Sequence, residues 1–178
     1  MNWLNPPPQW QQDGDRITMT SGAKTDFWRK TYDNGIRDHG HFFWQDVAGN
    51  FVLEVKVSGA YAALYDQAGA MVRVDEQHWM KCGIELLHGV QQASVVVTRD
   101  YSDWSVIALP TPPPALWLRV KRHDVTLEVE YSTDGSTYTL MRQTHLPMGA
   151  TVQAGIMACA PQGDGFVATF EGLRITSL

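Results

Sequence analysis

The stretch that decides the fold runs from Tyr65 to Trp104 and reads YDQAGAMVRVDEQHWMKCGIELLHGVQQASVVVTRDYSDW. It contains three runs with the two-residue alternation of β-strands and the beginning of a fourth, separated by turn-forming residues. The run from His78 to Leu87 is the clearest of these. Side chains along a strand point alternately to the two faces of a sheet. The stretch therefore predicts consecutive strands with two chemically different faces.

The two faces of residues 78–87 differ in chemistry. The even positions form a mostly apolar set: His78, Met80, Cys82, Ile84 and Leu86. The odd positions form a mixed set: Trp79, Lys81, Gly83, Glu85 and Leu87. Charged groups are costly to bury without partners. We therefore expect the even face to pack into a core and the odd face to carry the function.

The rest of the chain follows the same pattern. Clean alternation recurs in residues 51–58, 116–121 and 125–132, and turn signals return every 8–12 residues. No stretch of a dozen residues has a helical period. A chain of 178 residues suits one domain. We predict an all-β fold over residues 1–178, a two-sheet antiparallel jelly-roll sandwich.

Two local features refine this prediction. Pro6, Pro7 and Pro8 favour an extended conformation, so residues 1–12 are predicted to form an extended N-terminal arm whose end, residues 9–12, pairs with residues 16–20 in a hairpin. Residues 99–103 are predicted to form a turn, with the next strand beginning at Trp104.

Composition argues against several classes of partner. The net charge is −5 and no basic run alternates with aromatic residues, so nucleic acid is not an expected partner. The N-terminus MNWLNPPPQW lacks the features of a signal peptide, and no apolar run reaches 18 residues, so no membrane span is expected. The cytoplasm is the expected location. The two cysteines, Cys82 and Cys159, lie in strand-like apolar runs and are expected to be buried thiols.

Six motifs occur in a fixed order along the chain: TDFWRKT (25–31), DHGHFFW (38–44), YDQAGAMVR (65–73), WMKCGIE (79–85), SVVVTRDYSDWS (94–105) and YSTDG (131–135). Together they resemble the regulation-of-enolase-type family, a group of concanavalin A-like domains of unknown function. The resemblance spans nearly the whole chain. It implies a lectin- or glucanase-type sandwich with one concave face, and a regulatory role in carbohydrate metabolism. A weaker likeness, through the DQAG strand, is to the sandwich modules of family 43 glycosidases.

The mixed face is the candidate ligand site. Aromatic rings beside planar hydrogen-bonding side chains suit a sugar, whose C–H face stacks on a ring while its hydroxyls bond to polar groups. Ser94 is expected on the same face. The residues expected to contact a ligand are Trp28, Arg29, His41, Tyr65, Gln67, Arg73, Trp79, Lys81, Glu85, Thr98, Asp103 and Trp104.

Lys81 and Glu85 need separate charge partners. Four residues along a strand span about 13 Å, so the two side chains are not expected to pair directly. Arg73 or Arg29 could neutralise Glu85. Asp103 or Asp66 could neutralise Lys81.

The function expected from these features is non-catalytic binding of a carbohydrate or a sugar-like metabolite on the concave face. A glycoside hydrolase is the first alternative and would need Glu85 with Asp103 or Asp66, about 5–9.5 Å apart. The run that carries Glu85 has no second carboxylate. A protein-interaction adaptor is the second alternative.

No cofactor or metal ion is expected. The chain has no phosphate-binding loop before a helix and no serine elbow. His39 and His41 lack the additional ligands that a metal site would need. Sandwich edge strands can pair between chains, so a homodimer is a further expectation.

Overall fold

A computed structural model describes all residues from Met1 to Leu178, and the chain consists of β-strands joined by loops. The sixteen strands are β1 (Asn2–Leu4), β2 (Gln9–Asp13), β3 (Arg16–Thr20), β4 (Phe27–Arg29), β5 (Ile36–Asp38), β6 (His41–Ala48), β7 (Phe51–Gly59), β8 (Gln67–Arg73), β9 (His78–Leu87), β10 (Val90–Arg99), β11 (Tyr101–Ala108), β12 (Leu116–His123), β13 (Thr126–Ser132), β14 (Thr139–His145), β15 (Thr151–Cys159) and β16 (Val167–Ser177). No helix in the structure is long and apolar enough to cross a membrane.

The strands form two seven-stranded antiparallel sheets and one small hairpin. Sheet A has the order β1-β6-β15-β8-β9-β10-β11, and sheet B has the order β14-β13-β12-β7-β16-β3-β2. The hairpin consists of β4 and β5. The predicted all-β, two-sheet sandwich is confirmed.

The main core lies between the two sheets. It contains 32 buried residues, including Met80, Cys82 and Ile84 of β9. The even face of the decisive strand therefore packs into the core, as its alternation predicts. The opposite face of sheet A carries Trp79, Lys81, Gly83 and Glu85, and we call it the outer face of sheet A.

The N-terminal residues contribute an edge strand to each sheet. β1 pairs with β6 in sheet A, and β2 pairs with β3 in sheet B, which confirms the hairpin expected between residues 9–12 and 16–20. Trp3 and Trp10 pack on each other and on Phe43, with ring centroids 4.6–5.6 Å apart. The segment between the two strands thus crosses from one sheet to the other along an edge of the sandwich.

The turn predicted at residues 99–103 is too long. β10 and β11 are joined through Asp100 alone, which adopts a left-handed conformation with φ +65°. Asp103 therefore lies within β11, directly opposite Val97, whose side chain is in the core. Because opposite residues of paired strands share a face, Asp103 projects away from the outer face of sheet A.

Both sheets receive a central strand from the C-terminal end of the chain. β15 lies between β6 and β8 in sheet A. β16 lies between β7 and β3 in sheet B. The outer strands β1, β11, β14 and β2 leave four edges at which a second chain could pair.

Candidate functional site

Residues 22–40, which we call the cover, lie over one half of the outer face of sheet A and not over the other half. The cover contains the β4–β5 hairpin and lies over the part of the face that carries Trp79. Beneath it is a second, smaller cluster of buried side chains: Phe27, Phe42, Met71, Trp79, Val96, Met157 and Cys159. This half of the face is an additional core rather than an open surface.

Ion pairs fasten the cover to the sheet. The two terminal guanidinium nitrogens of Arg73, Nη1 and Nη2, each donate to the carboxylate of Asp38 at 2.8 Å. The ammonium of Lys81 donates to the carbonyl of Phe27 at 2.6 Å and to Asp26 at 3.3 Å. Removing these cations from water is costly unless such partners are present, so the contacts hold the cover in place.

Further contacts seal the side near β11. The backbone N–H of Arg29 donates to the hydroxyl of Ser102, which also shares a hydrogen bond with Thr98. The Arg29 side chain pairs with Asp100 at 3.0 Å. Trp79 is fully buried and donates to the carbonyl of Glu76. Five residues expected to contact a ligand are therefore buried in structural contacts: Arg29, Arg73, Trp79, Lys81 and Thr98.

The other half of the face, which we call the open half, has two glycines side by side. Gly69 of β8 is paired with Gly83 of β9. A Cβ atom on Gly69 would lie 1.9 Å from the carbonyl oxygen of Cys82, and one on Gly83 would lie 2.1 Å from that of Ala68. Only glycine fits at either position, so the pair forms a floor without side chains.

A small hollow lies on this floor. Its lining residues are Gln67, Ala68, Lys81, Cys82, Gly83, Ile84, Glu85, Ser94 and Met157. The volume of this hollow is about 10 Å³, which is enough for one water molecule. The hollow therefore has the size of a single hydroxyl group, and a ring would have to lie above it.

Glu85 is the charged centre of the open half. One of its carboxylate oxygens accepts hydrogen bonds from Ser94 at 2.6 Å and from the indole N–H of Trp104 at 2.9 Å. The other oxygen has no hydrogen-bond partner in the chain and is not sealed from solvent. Burial raises the pKa of Glu85, while the nearby Lys81 charge opposes that rise. The site thus offers one free acceptor whose charge is weakly compensated.

An aromatic pair borders Glu85. The rings of Tyr65 and Trp104 are 6.2 Å apart at an interplanar angle of 79°, and both are half-buried. Trp104 is fixed by its bonds to Glu85 and Ser94, since its indole N–H also donates to the Ser94 hydroxyl at 3.1 Å. Gln67 lies directly opposite Glu85, and its amide nitrogen donates to the carbonyl of Tyr65. These residues form the candidate functional site.

Three other expected site residues lie elsewhere. His41 projects toward the core side: its Nδ1–H donates to the carbonyl of Asn5, and its Nε2 accepts from Gly22. Burial lowers the pKa of His41, so the ring is a neutral structural link. Asp103 pairs with Arg142 of sheet B at 2.7 Å. Trp28 belongs to the cover and donates its indole N–H to the carbonyl of Thr31.

The charge partners expected from the sequence are also wrong. Glu85 pairs with neither Arg73 nor Arg29, because both arginines hold aspartates in or beside the cover. Lys81 pairs with Asp26. Asp66 instead accepts the backbone N–H groups of Ala62 and Ala63, and so it shapes a loop. Lys81 and Glu85 form no direct pair, as their spacing predicts.

Sequence reasoning missed three contributors to the open half. The Gly69–Gly83 pair was missed because the two glycines meet only in one register of β8 against β9, and the sequence was not used to assign that register. Gln92 lies on β10, opposite Glu85. Because residues two apart on a strand share a face, its position two residues before Ser94 could have identified it. Met157 comes from β15, far away in sequence, and no local signal places it there.

The whole chain matches one protein family. Residues 3–178 match the family described as protein of unknown function DUF1349. A relative in Saccharomyces cerevisiae, named Regulation of enolase protein 1, is 38% identical over 175 residues, which are 98% of this chain and 88% of that protein. The chain belongs to this family. The resemblance drawn from the six ordered motifs is confirmed.

Solved structures show the same fold. A functionally unknown protein from Saccharomyces cerevisiae superposes with a TM-score of 0.95 at 38% identity, covering 99% of this chain and 96% of that one. The carbohydrate-binding module CBM66 from Bacillus subtilis has a TM-score of 0.60 at 13% identity, covering 98% and 95%. The GH43 protein BlXynB from Bacillus licheniformis has a TM-score of 0.70 at 18% identity, covering 97% of this chain and 35% of that one. The last two likenesses concern the fold alone.

Proposed function

We propose that this DUF1349 chain binds a carbohydrate or a sugar-like metabolite over the open half of the outer face of sheet A, without hydrolysing it. The observation that carries the proposal is the hollow lined by Gly83 and Glu85, together with the aromatic pair that borders the Glu85 carboxylate. Glu85 supplies a free acceptor oxygen, and Tyr65 and Trp104 supply ring surfaces at its edge. A polar anchor beside aromatic surface is the arrangement that sugar rings require.

The size of the hollow indicates how such a ligand would lie. The hollow admits one hydroxyl group and no ring. A sugar would therefore rest against Trp104 and Tyr65 and direct one hydroxyl toward Glu85, which would accept its hydrogen bond. The bonds from Ser94 and Trp104 already fix the carboxylate, so little side-chain freedom would be lost on binding.

The similar proteins support the same class of function. The Bacillus subtilis module that shares the fold is a carbohydrate-binding module by its name. The yeast relative is named for regulation of enolase. We propose that sugar binding by this chain serves a regulatory role in carbohydrate metabolism. The first of these likenesses is an analogy of fold, and so the contacts around Glu85 carry the proposal.

A calorimetric titration tests the proposal. The purified chain is titrated with neutral mono- and oligosaccharides, including xylose, arabinose, xylobiose and cellobiose. We expect binding by at least one sugar, weakened about tenfold in Trp104→Ala because the stacking surface is lost. Trp10→Ala is the matched control, since Trp10 is a more exposed tryptophan at the edge of the sandwich. Absence of binding by every sugar would reject the proposal in favour of a protein-interaction adaptor.

The hydrolase alternative is tested in the same samples. Glu85, with its raised pKa, suits a general acid, but Asp103 and Asp66 do not face it. Asp26 is close enough for its charge to raise the pKa of Glu85, but Lys81 holds its carboxylate. New reducing ends that appear with the wild type and not with Glu85→Gln would replace non-catalytic binding by hydrolysis.

A further inference from the structure

A second hollow, much larger than the one beside Glu85, lies on the opposite side of the sandwich, on the outer face of sheet B. Its volume is about 550 Å³, which is within the range of small-molecule sites. Strands β7, β12 and β16 supply its floor, and the β13–β14 loop supplies one wall. We call it the sheet B groove. It shares no residue with the hollow beside Glu85.

Two irregularities in the backbone shape this groove. β16 contains a bulge between Glu171 and Arg174, where Gly172 adopts φ +63°. The β13–β14 loop is held by Asp134, whose carboxylate accepts the backbone N–H groups of Ser136 and Thr137. The wall of the groove is therefore fixed before any ligand arrives.

Two aromatic side chains line the groove. Gly135 packs against the indole of Trp117 so closely that a Cβ atom there would lie 2.9 Å from the ring. The guanidinium of Arg119 stacks on the ring of Tyr138 at 3.6 Å. Both rings are held in place, and both are half-buried. Rigid rings of this kind lose little freedom when they contact a ligand.

Each ring also presents an unused polar group. The indole N–H of Trp117 and the hydroxyl of Tyr138 have no hydrogen-bond partner in the chain, and neither is sealed from solvent. The carboxylate of Asp15, which lies at one end of the groove, makes no side-chain hydrogen bond either. The groove therefore offers at least one donor, one acceptor and one group that can act as both.

The charges of the groove balance. Its ionisable side chains apart from Tyr138 are three carboxylates and three cations: Asp15, Glu54, Glu171, Lys56, Arg119 and Arg174. Glu54 pairs with Arg119 at 3.0 Å, and Lys56 pairs with Glu171 at 2.8 Å. A strongly charged ligand would find no net opposite charge here. A neutral ligand rich in hydroxyl groups would find many hydrogen-bonding groups. It would also find the parts of the two rings that Gly135, Lys56 and Arg119 leave uncovered.

We propose that the sheet B groove is a second binding site, for a short neutral oligosaccharide that contacts Trp117 and Tyr138. This site is separate from the one beside Glu85. A chain with sites on both outer faces would hold two sugar chains, or two parts of one, at the same time.

The test uses the indole N–H signals of the full-length chain, labelled with ¹⁵N, during titration with xylobiose, cellobiose and maltose at millimolar concentration. We expect the Trp117 signal to move with at least one sugar and the movement to persist in Trp104→Ala. A Trp117 signal unmoved by all three sugars would overturn the proposal. Movement lost in Trp104→Ala would also overturn it, because the two sites would then not be independent.

Two variants complete the test. Trp117→Phe removes the indole N–H and part of the ring while preserving an aromatic packing partner for Gly135, and Tyr138→Leu removes the ring and hydroxyl. We expect each to weaken binding at this site about tenfold, as followed by the signals of the remaining groove residues. Binding by both variants that is as tight as binding by the wild type, with unchanged thermal unfolding, would overturn the proposal. Strong dependence of the affinity on salt would also overturn it, since a neutral ligand carries no charge to screen.

Discussion

The covered and the open halves of the outer face of sheet A are built from the same strands and have opposite uses. In the covered half, Trp79 and Arg73 are buried beneath Phe27 and Asp38 of the cover. In the open half, Glu85 is also buried, but it contacts Ser94 and Trp104 rather than the cover, and the hollow beside it has room for one water molecule. The comparison shows that a mixed set of side chains does not by itself mark a binding surface. What lies above the set decides its use.

Removal of Phe27 should produce the largest loss of stability. Phe27→Ala would empty the centre of the cluster beneath the cover and should lower the free energy of unfolding by about 3–5 kcal/mol, as measured by urea denaturation. Trp104→Ala, in the open half, should cost clearly less because that ring is half-exposed. Equal losses from the two variants would show that the halves do not differ as described.

Neutralising Asp38 should have the next largest effect. Asp38→Asn leaves the Arg73 guanidinium, whose side chain is 8% exposed, without its counter-charge, and should lower the free energy of unfolding by about 2 kcal/mol. Asp33→Asn is the control, because Asp33 pairs with Arg37 on the surface and surface pairs contribute little. A loss as small as that of the control would contradict the role of the ion pair in fastening the cover.

Glu85→Gln should change how stability depends on pH. The pKa of Glu85 is raised in the folded state, so the folded chain binds the proton more tightly than the unfolded chain. This contribution is fully present below the unfolded pKa of about 4.5 and is lost as pH rises through the folded pKa. As the pH falls from 7 to 4.5, the free energy of unfolding of the wild type should therefore rise relative to that of the variant. Urea denaturation at several pH values measures the difference, and a difference that is constant with pH would contradict the raised pKa.

The smallest effect is expected at Tyr65. The Tyr65 hydroxyl makes no hydrogen bond within the chain, so Tyr65→Phe should change the free energy of unfolding by less than about 0.5 kcal/mol. Thermal unfolding followed by circular dichroism is sufficient to check this. A large loss would mean that the open half, like the covered half, is held together by its own polar contacts.

The sequence predicted the strands and their faces because alternation is a local property. The even positions of β9 are apolar and enter the core, and the odd positions face outward, as expected. The turn at Asp100 was predicted too long because a single left-handed residue gives almost no compositional signal. An error of that kind reverses which side chains face which way, and it placed Asp103 on the wrong face.

The contents of the candidate site were predicted less well, for a physical reason. Gln67 lies on β8, Lys81 and Glu85 lie on β9, and Trp104 lies on β11, while Tyr65 lies two residues before β8. The sequence brought these residues together correctly. Arg73 and Trp79 satisfied the same pattern, yet their partners Asp38 and Phe27 lie more than 30 residues away. Contacts between residues so far apart in sequence depend on the position of the cover on the sheet, and no local sequence pattern predicts that position.

The positions of β15 and β16 have a consequence for synthesis of the chain. Each is flanked on both sides in its sheet, and both come from the last 28 residues. Until those residues leave the ribosome, β6 and β8 have no strand between them, and neither do β7 and β3. The nascent chain must therefore hold exposed, unpaired strands until residues 151–177 have left the ribosome, a state that is open to aggregation and to capture by chaperones.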